Sequence, residues 1–242
     1  MTWVITGGAS GIGRRLAHDL IAAGENVVVW DRATPPFAVN HTVLDLTEDG
    51  AIESAATAVD GPLRAFVHCA GVPAAASIRN PGTVSALRLA YEVHVVAFIR
   101  ATQALLDKLV AGSGSVVAVT SAAMEVVYPG TLAYGASKAA LGRAVAQLAV
   151  ELGGLGVRVN AVSPGAVATP MSQDMWADPE FASARRAFIP LNDQAPPEAI
   201  TEAIRFLASA AARFVTGEVL WVDGGVRHGT FNHDVQRVAG TR

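Results

Sequence analysis

The chain has 242 residues, a formal net charge of −3 and one cysteine; 51% of its residues are hydrophobic and 16% are charged. One α/β domain routinely fills that length and buries a large core, and without a block of like charge nothing marks a nucleic-acid or anionic-membrane partner. Lone Cys69 excludes an internal disulfide framework, no apolar run spans a bilayer, and the N-terminus enters a strand without a signal-like segment, so small-molecule partners and a cytoplasmic setting are expected.

Trp3, Val4 and Ile5 form an apolar strand that stops at Thr6-Gly7-Gly8-Ala9-Ser10-Gly11-Ile12-Gly13, and an amphipathic helix follows from about Ile12 to Ala23. Glycines at 7, 11 and 13 allow positive φ and close approach of a ligand, while the helix start offers unpaired N–H groups to a pyrophosphate. Gly7, Ser10, Gly11, Ile12 and Gly13 are therefore candidate cofactor contacts. Many turns need glycine for geometry alone; the place of this one between a first strand and a helix points to a dinucleotide.

Val27 to Trp30 make a second buried strand ending at Asp31. A carboxylate there accepts hydrogen bonds from the adenosine ribose and repels the extra phosphate of NADP, so NAD is expected. Ser10, where a basic residue would help NADP, agrees; Arg32 is the counter-signal, since it could pair with a 2′-phosphate or point into solvent. A third strand, Val39 to Leu44, leads to a helix from about Glu48 to Val59. Between them Asp45 and Leu46 are assigned to the adenine, although Asp45 or Thr47 could equally cap the helix. Strand four, Ala65 to His68, closes on Cys69-Ala70-Gly71, small residues that again let backbone approach a ligand.

One long helix is expected from Thr83 to Lys108, then a strand from Ser115 to Thr120 and, directly after it, Ser121. The next helix, Ala133 to Gly153, carries Tyr134 and Lys138 four positions apart on one face. A phenol with a pKa near 10 is about 4 kcal/mol from deprotonation at pH 7, and a cation about 4 Å away at an effective dielectric near 20 returns a similar amount. Lys138 could thus make Tyr134 a general acid/base, with Ser121 holding the substrate oxygen. By spacing alone the pair reads more often as a solvated helix face, and what reverses that lies elsewhere in the chain.

Val157 to Val162 form a strand ending at Ser163-Pro164-Gly165. A segment with Met171, Met175, Trp176, Phe181 and Phe188 follows and reads as a substrate lid over about 170–195. The last helix starts near Pro197, the last strand is Val219 to Val222, and a less hydrophobic tail follows Gly225. Ala122, Met124, Tyr128, Met171, Trp176 and Leu191 are candidate lining residues, which suit a cyclic or aromatic substrate better than a sugar.

Strand–helix alternation with the glycine loop first predicts an α/β fold: one domain over 1–242, a doubly wound parallel sheet of about seven strands with helices on both faces. In order, the TGGASGIG loop, Asp31, the CAG segment, Ser121, the YGASK box, VNAVSPGAVATP and the terminal VDGG resemble the short-chain dehydrogenase/reductase family over nearly the full length. The resemblance implies a Rossmann-fold, NAD-preferring oxidoreductase acting on a secondary alcohol or ketone. In it Tyr134 exchanges the proton, Ser121 positions the substrate oxygen, and Lys138 binds the nicotinamide ribose. Val167 and Thr169, after the Pro164-Gly165 turn, hold the carboxamide. The lid is most similar to those of bacterial hydroxysteroid and dihydrodiol dehydrogenases, and the family implies a homotetramer, or a homodimer, through the helices around His94 and after Tyr134.

Two positions depart from the family. His94 replaces an asparagine whose main-chain carbonyl holds a water joining the lysine to solvent; the backbone role could survive, or the ring could join the relay. Cys69 replaces another asparagine and reads as a small buried residue. No metal is expected at His68, Cys69 and His94, because neighbours on a strand face opposite ways and no further ligand completes a set. The alternatives are a dihydrodiol dehydrogenase with a catechol-type product, or an NAD-binding sensor that has lost turnover.

Overall fold

The computed structural model describes residues 1–74 and 76–231; the side chains of Met175, Phe181, Thr230 and Phe231 and the tail beyond 231 lie outside the described residues. In chain order the elements are β1 (Thr2–Thr6), α1 (Gly11–Ala22), β2 (Asn26–Asp31), β3 (Asn40–Val43), α2 (Ala51–Thr57), β4 (Leu63–His68) and α3 (Thr83–Tyr91). There follow α4 (Ala97–Ala104), α5 (Leu106–Gly112), β5 (Ser115–Val119), α6 (Leu132–Gly153) and β6 (Arg158–Pro164). The chain continues through α7 (Gln173–Trp176), α8 (Pro179–Ala187), α9 (Pro197–Ala208) and β7 (Val219–Val222).

All seven strands pair in parallel in one sheet, ordered β3-β2-β1-β4-β5-β6-β7. Every residue of β1 and β5 is buried, as a sheet covered on both faces requires. Alternation divides the core: Val4, Val28 and Phe66 pack with Phe98 and Leu141 on one face, while Trp3, Ile5 and Val67 pack with Leu16 and Ile204 on the other. The strand order reverses between β1 and β4, which opens a crevice at their C-terminal ends, Thr6 and His68.

Two elements differ from the sequence expectation. The helix expected from Glu48 begins at Ala51, because Gly50 precedes it at φ 75, outside the helical region. The long helix expected over 83–108 is interrupted: a π turn spans Glu92–Val96, and Leu105 separates α4 from α5 with φ −97 and ψ 0. A π turn widens the ladder by one residue and changes which side chains face the core. It carries His94, fully buried, whose ring bonds Val72 and Ser137.

Candidate active site

The glycine loop builds a cradle by close approach. A Cβ on Gly7, which has φ +71, would lie 2.7 Å from Ala70 N, and one on Gly13 would lie 2.3 Å from Gly7 O. Only glycine fits either position. The first intrahelical bond of α1 runs from Arg14 N to Ser10 O, so the amides of Gly11, Ile12 and Gly13 precede it. A Cβ on Gly11 would meet nothing nearer than Thr169 at 3.6 Å, and its open face is a cavity of about 550 Å³. A glycine cradle at a helix start fits a pyrophosphate.

The same cavity is lined by every cofactor contact expected from the sequence: Gly7, Ser10, Gly11, Ile12, Gly13, Asp31, Asp45, Leu46, Cys69, Ala70, Gly71, Tyr134, Lys138, Pro164, Gly165, Val167 and Thr169. The Asp31 carboxylate accepts from Ala9 N at 2.9 Å and from Ala33 N at 3.0 Å, which ties β2 to the glycine loop. Asp45 accepts from Thr47 N at 2.9 Å and Thr47 Oγ1 at 2.8 Å, and these bonds hold its carboxyl below the usual carboxylate range. It therefore caps a local turn as well as lining the cavity. Arg32, largely exposed, reaches Asp45 at 3.7 Å.

The catalytic candidates converge at the ends of β5 and α6. Ser121 follows β5, and its hydroxyl accepts from Ala123 N at 3.2 Å, which anchors the turn Ala122–Met124. Gly135 lets α6 abut that turn, for a Cβ there would lie 2.8 Å from Ala123 O. Tyr134 is thereby brought to the same cavity wall as the Ser121 side chain. Lys138 is buried, donates to Val119 O at 2.8 Å, and lies 5.7 Å from the Tyr134 ring centroid.

Burial pushes the phenol of Tyr134 above its ordinary value, with the nearby Ser121 hydroxyl pulling the other way. Burial also lowers the ammonium of Lys138 to about 8. The compensation expected from i, i+4 spacing is thus incomplete. The Ser121 hydroxyl acts against burial and does not offset the desolvation of the phenolate.

Two buried histidines hold the wall behind this group. Val72 N donates to His94 Nε2 at 3.0 Å, so Nδ1 carries the proton and donates to Ser137 Oγ at 2.9 Å; that hydroxyl donates to Tyr134 O at 2.8 Å. His94 is lowered by burial and then by the Lys138 charge, and stays neutral with both ring nitrogens engaged. The expected relay through its ring is therefore at odds with the geometry, and the ring does not line the cavity. His68, also buried and lowered to about 3, bonds Thr6 Oγ1 through Nδ1 at 2.9 Å and Val93 O through Nε2 at 3.1 Å. Val93 O can only accept, so Nε2 carries the proton and caps a carbonyl of the π turn, while Nδ1 accepts from the Thr6 hydroxyl, which in turn accepts from Ala70 N. Sequence reasoning assigned His68 no role; its signal lay in a polar residue ending an otherwise apolar strand. Burial pushes the adjacent Cys69 thiol up to about 12.

At the other end, Val167 pairs with Ala195, and Ala168 N donates to Ala195 O at 3.0 Å, which closes the base of the lid excursion. Ala122, Tyr128, Met171 and Trp176 line the cavity as expected, joined by Arg185, which the sequence did not single out. Met124 and Leu191 do not line it. Met124 turns into the hollow that Gly142 leaves on α6, where a Cβ would lie 2.6 Å from its Cε, and Leu191 is 77% exposed beside Gly224.

A phenol, a hydroxyl and an ammonium at the rim of a doubly wound sheet, in one cavity with a glycine cradle, define a nucleotide-cofactor oxidoreductase site. The chain belongs to the short-chain dehydrogenase/reductase family, whose members use a nicotinamide cofactor and interconvert alcohols and ketones. A family profile described as enoyl-(acyl carrier protein) reductase matches residues 7–227. Cis-4-hydroxycyclohexanecarboxylate dehydrogenase of Sinomonas cyclohexanicum is 35% identical, covering 92% of this chain and 94% of its own. 3beta-hydroxysteroid dehydrogenase 1 of Eggerthella lenta is 32% identical, covering 93% of each. Among solved structures, one described as a putative NAD(P) dependent gluconate 5-dehydrogenase from Beutenbergia cavernae, with NADP bound at low occupancy, superposes with a TM-score of 0.86 at 32% identity, covering 93% of this chain and 96% of that one.

Proposed function

We propose that this oxidoreductase is NAD(H)-dependent and interconverts a secondary alcohol and a ketone on a cyclic or aromatic, largely apolar substrate, with Tyr134 as general acid/base. The observation that carries this is the convergence of Tyr134, Ser121 and buried Lys138 in the cavity that holds the glycine cradle. In the oxidising direction the substrate hydroxyl passes its proton to the Tyr134 oxygen, Ser121 donates to the substrate oxygen, and the Lys138 ammonium stabilises the phenolate. The residues that would hold the cofactor are the Gly7–Gly13 loop, Asp31 at the adenosine ribose, Lys138 at the nicotinamide ribose, and Val167 and Thr169 at the carboxamide. When bound, the nicotinamide supplies the hydride acceptor and, oxidised, a positive charge that favours the phenolate further.

The preference for NAD is supported by Asp31. Its oxygens retain acceptor capacity for ribose hydroxyls beyond the two backbone bonds, and its charge opposes a 2′-phosphate. The cyclic substrate class is supported by the apolar wall and by the names of the hydroxycyclohexane and hydroxysteroid relatives. The relay role of His94 rests with its main-chain carbonyl, since the ring is engaged. A homotetramer in the cytoplasm completes the proposal; Val96, Ile99 and Val150 expose apolar surface on the π turn, α4 and α6 that a second copy would cover.

NADH appearance with a panel of cyclic secondary alcohols, a cyclic dihydrodiol included and NADP⁺ run in parallel, tests the proposal. NAD⁺ is expected to be the better acceptor, and Tyr134→Phe is expected to abolish turnover while cofactor binding persists. Full activity in that variant refutes the mechanism, and tight NAD binding with no turnover on any alcohol favours a sensor.

A further inference from the structure

Ser172 stands at the N-cap of α7, where a serine oxygen ordinarily accepts from a helix amide, yet its side chain makes no capping bond. The hydroxyl turns back along the chain instead. It donates to Val167 O at 2.6 Å, with Thr169 O at 3.1 Å a second acceptor for the same proton, and it accepts from Thr169 N at 3.3 Å. Thr169 Oγ1 lies 3.5 Å from the same oxygen, and Gln194 Nε2 reaches it at 3.5 Å from the far end of the lid. On its other side the loop is pinned by Ala168 N to Ala195 O at 3.0 Å and Ala195 N to Ala166 O at 2.8 Å. Ser172 lines the cavity with Val167 and Thr169, and the Thr169 side chain faces Gly11 of the glycine cradle, where a Cβ would lie 3.6 Å from it.

We propose that Ser172 is a positioning residue for the nicotinamide end of the cofactor: its hydroxyl fixes the Val167 carbonyl and the Thr169 hydroxyl as acceptors for a carboxamide NH2. This rests on the carboxamide placement proposed above and deepens it. A carbonyl oxygen has two lone pairs, so Val167 O can accept from Ser172 and from a ligand together. The backward bond from Ser172 closes the turn over 167–172, which orders both acceptors before a ligand arrives and leaves less freedom to lose on binding. The chain enters the lid directly after Ser172, through α7 and α8, and returns to the same hydroxyl at Gln194. Both ends of the lid therefore stand on the residue that sets the carboxamide acceptors.

Cofactor analogues separate this role from that of a merely local turn. NAD⁺ and its 3-acetylpyridine analogue, which carries a methyl group in place of the carboxamide NH2, are titrated calorimetrically into the full chain, with 5′-AMP as a probe of the adenosine end. NAD⁺ is expected to bind about ten- to hundredfold tighter than the analogue, the range of two neutral hydrogen bonds. Ser172→Ala should lower that ratio by about three- to tenfold, one such bond, and leave 5′-AMP affinity unchanged. Ser172→Thr keeps the hydroxyl and should restore most of the ratio. A turn that serves stability alone would weaken all three ligands alike and leave the ratio intact, which overturns the proposal; so does a ratio that falls as far in Ser172→Thr as in Ser172→Ala. Equal binding of NAD⁺ and the analogue in the unaltered protein refutes the carboxamide placement and the role of Ser172 with it. If the ratio falls as expected yet no alcohol is oxidised, the positioning role stands and the dehydrogenase proposal fails.

Discussion

Replacing Lys138 by methionine removes a charge from a side chain that is only 4% exposed and ends against Val119 O. Burial lowers the folded-state pKa from 10.5 to about 8, so the folded protein binds this proton less avidly than the unfolded chain. The resulting destabilisation is present in full below about pH 8 and is relieved as pH rises from about 8 to 10.5. Integrating the proton linkage over these two values, the unaltered protein gains about 2.5 kcal/mol between pH 7 and pH 10 that Lys138→Met does not gain. Loss of the donor to Val119 O adds an offset of about 1–3 kcal/mol that does not vary with pH. The Cys69 thiol, raised from 9.0 to about 12, destabilises the fold above about pH 9 and is coupled to Lys138, so Cys69→Ala is introduced in both proteins to isolate Lys138. Urea unfolding at the two pH values should show the gap between midpoints changing by about 1 M or more in favour of the unaltered protein at pH 10. Parallel pH dependence in the two proteins would refute a desolvated, partly titrating ammonium beside Tyr134.

The approach of α6 to the Ser121 turn is tested by Gly135→Ala. Its Cβ would meet Ala123 O at 2.8 Å, and because that atom is backbone the turn must shift. A displacement on the order of 1 Å at the reacting groups should cost about a hundredfold in kcat with little change in NAD affinity, read by stopped-flow turnover and cofactor titration. At His94, asparagine can still accept from Val72 N, whereas leucine leaves that amide and the Ser137 hydroxyl without the ring. His94→Asn is expected to retain stability and activity within a few-fold, and His94→Leu to lose about 1–3 kcal/mol per orphaned group in thermal or urea unfolding. Equal behaviour of the two variants would show that the ring bonds contribute nothing.

The parts of the site that read directly from sequence are those whose chemistry is local. Tyr134 and Lys138 fall on one helix face by spacing, Ser121 follows an apolar strand, and the glycine loop lies between strand and helix, so each announces itself within a few residues. The all-parallel sheet was legible for the same reason, since strands covered on both faces are continuously apolar. Tertiary structure decided the rest. Met124 faces α6 rather than substrate because Gly142, eighteen positions away in sequence, leaves room for it. The π turn and the direction of His94 follow from pairings of His68 with Val93 O and of His94 with Val72 and Ser137, partners that no local pattern connects. Arg185 in the substrate wall depends on how the lid folds back over Tyr128. The incomplete activation of Tyr134 has the same origin: spacing sets which charge is near, but only the packed interior determines how much water each group loses, and here that loss raises the phenol and lowers the ammonium.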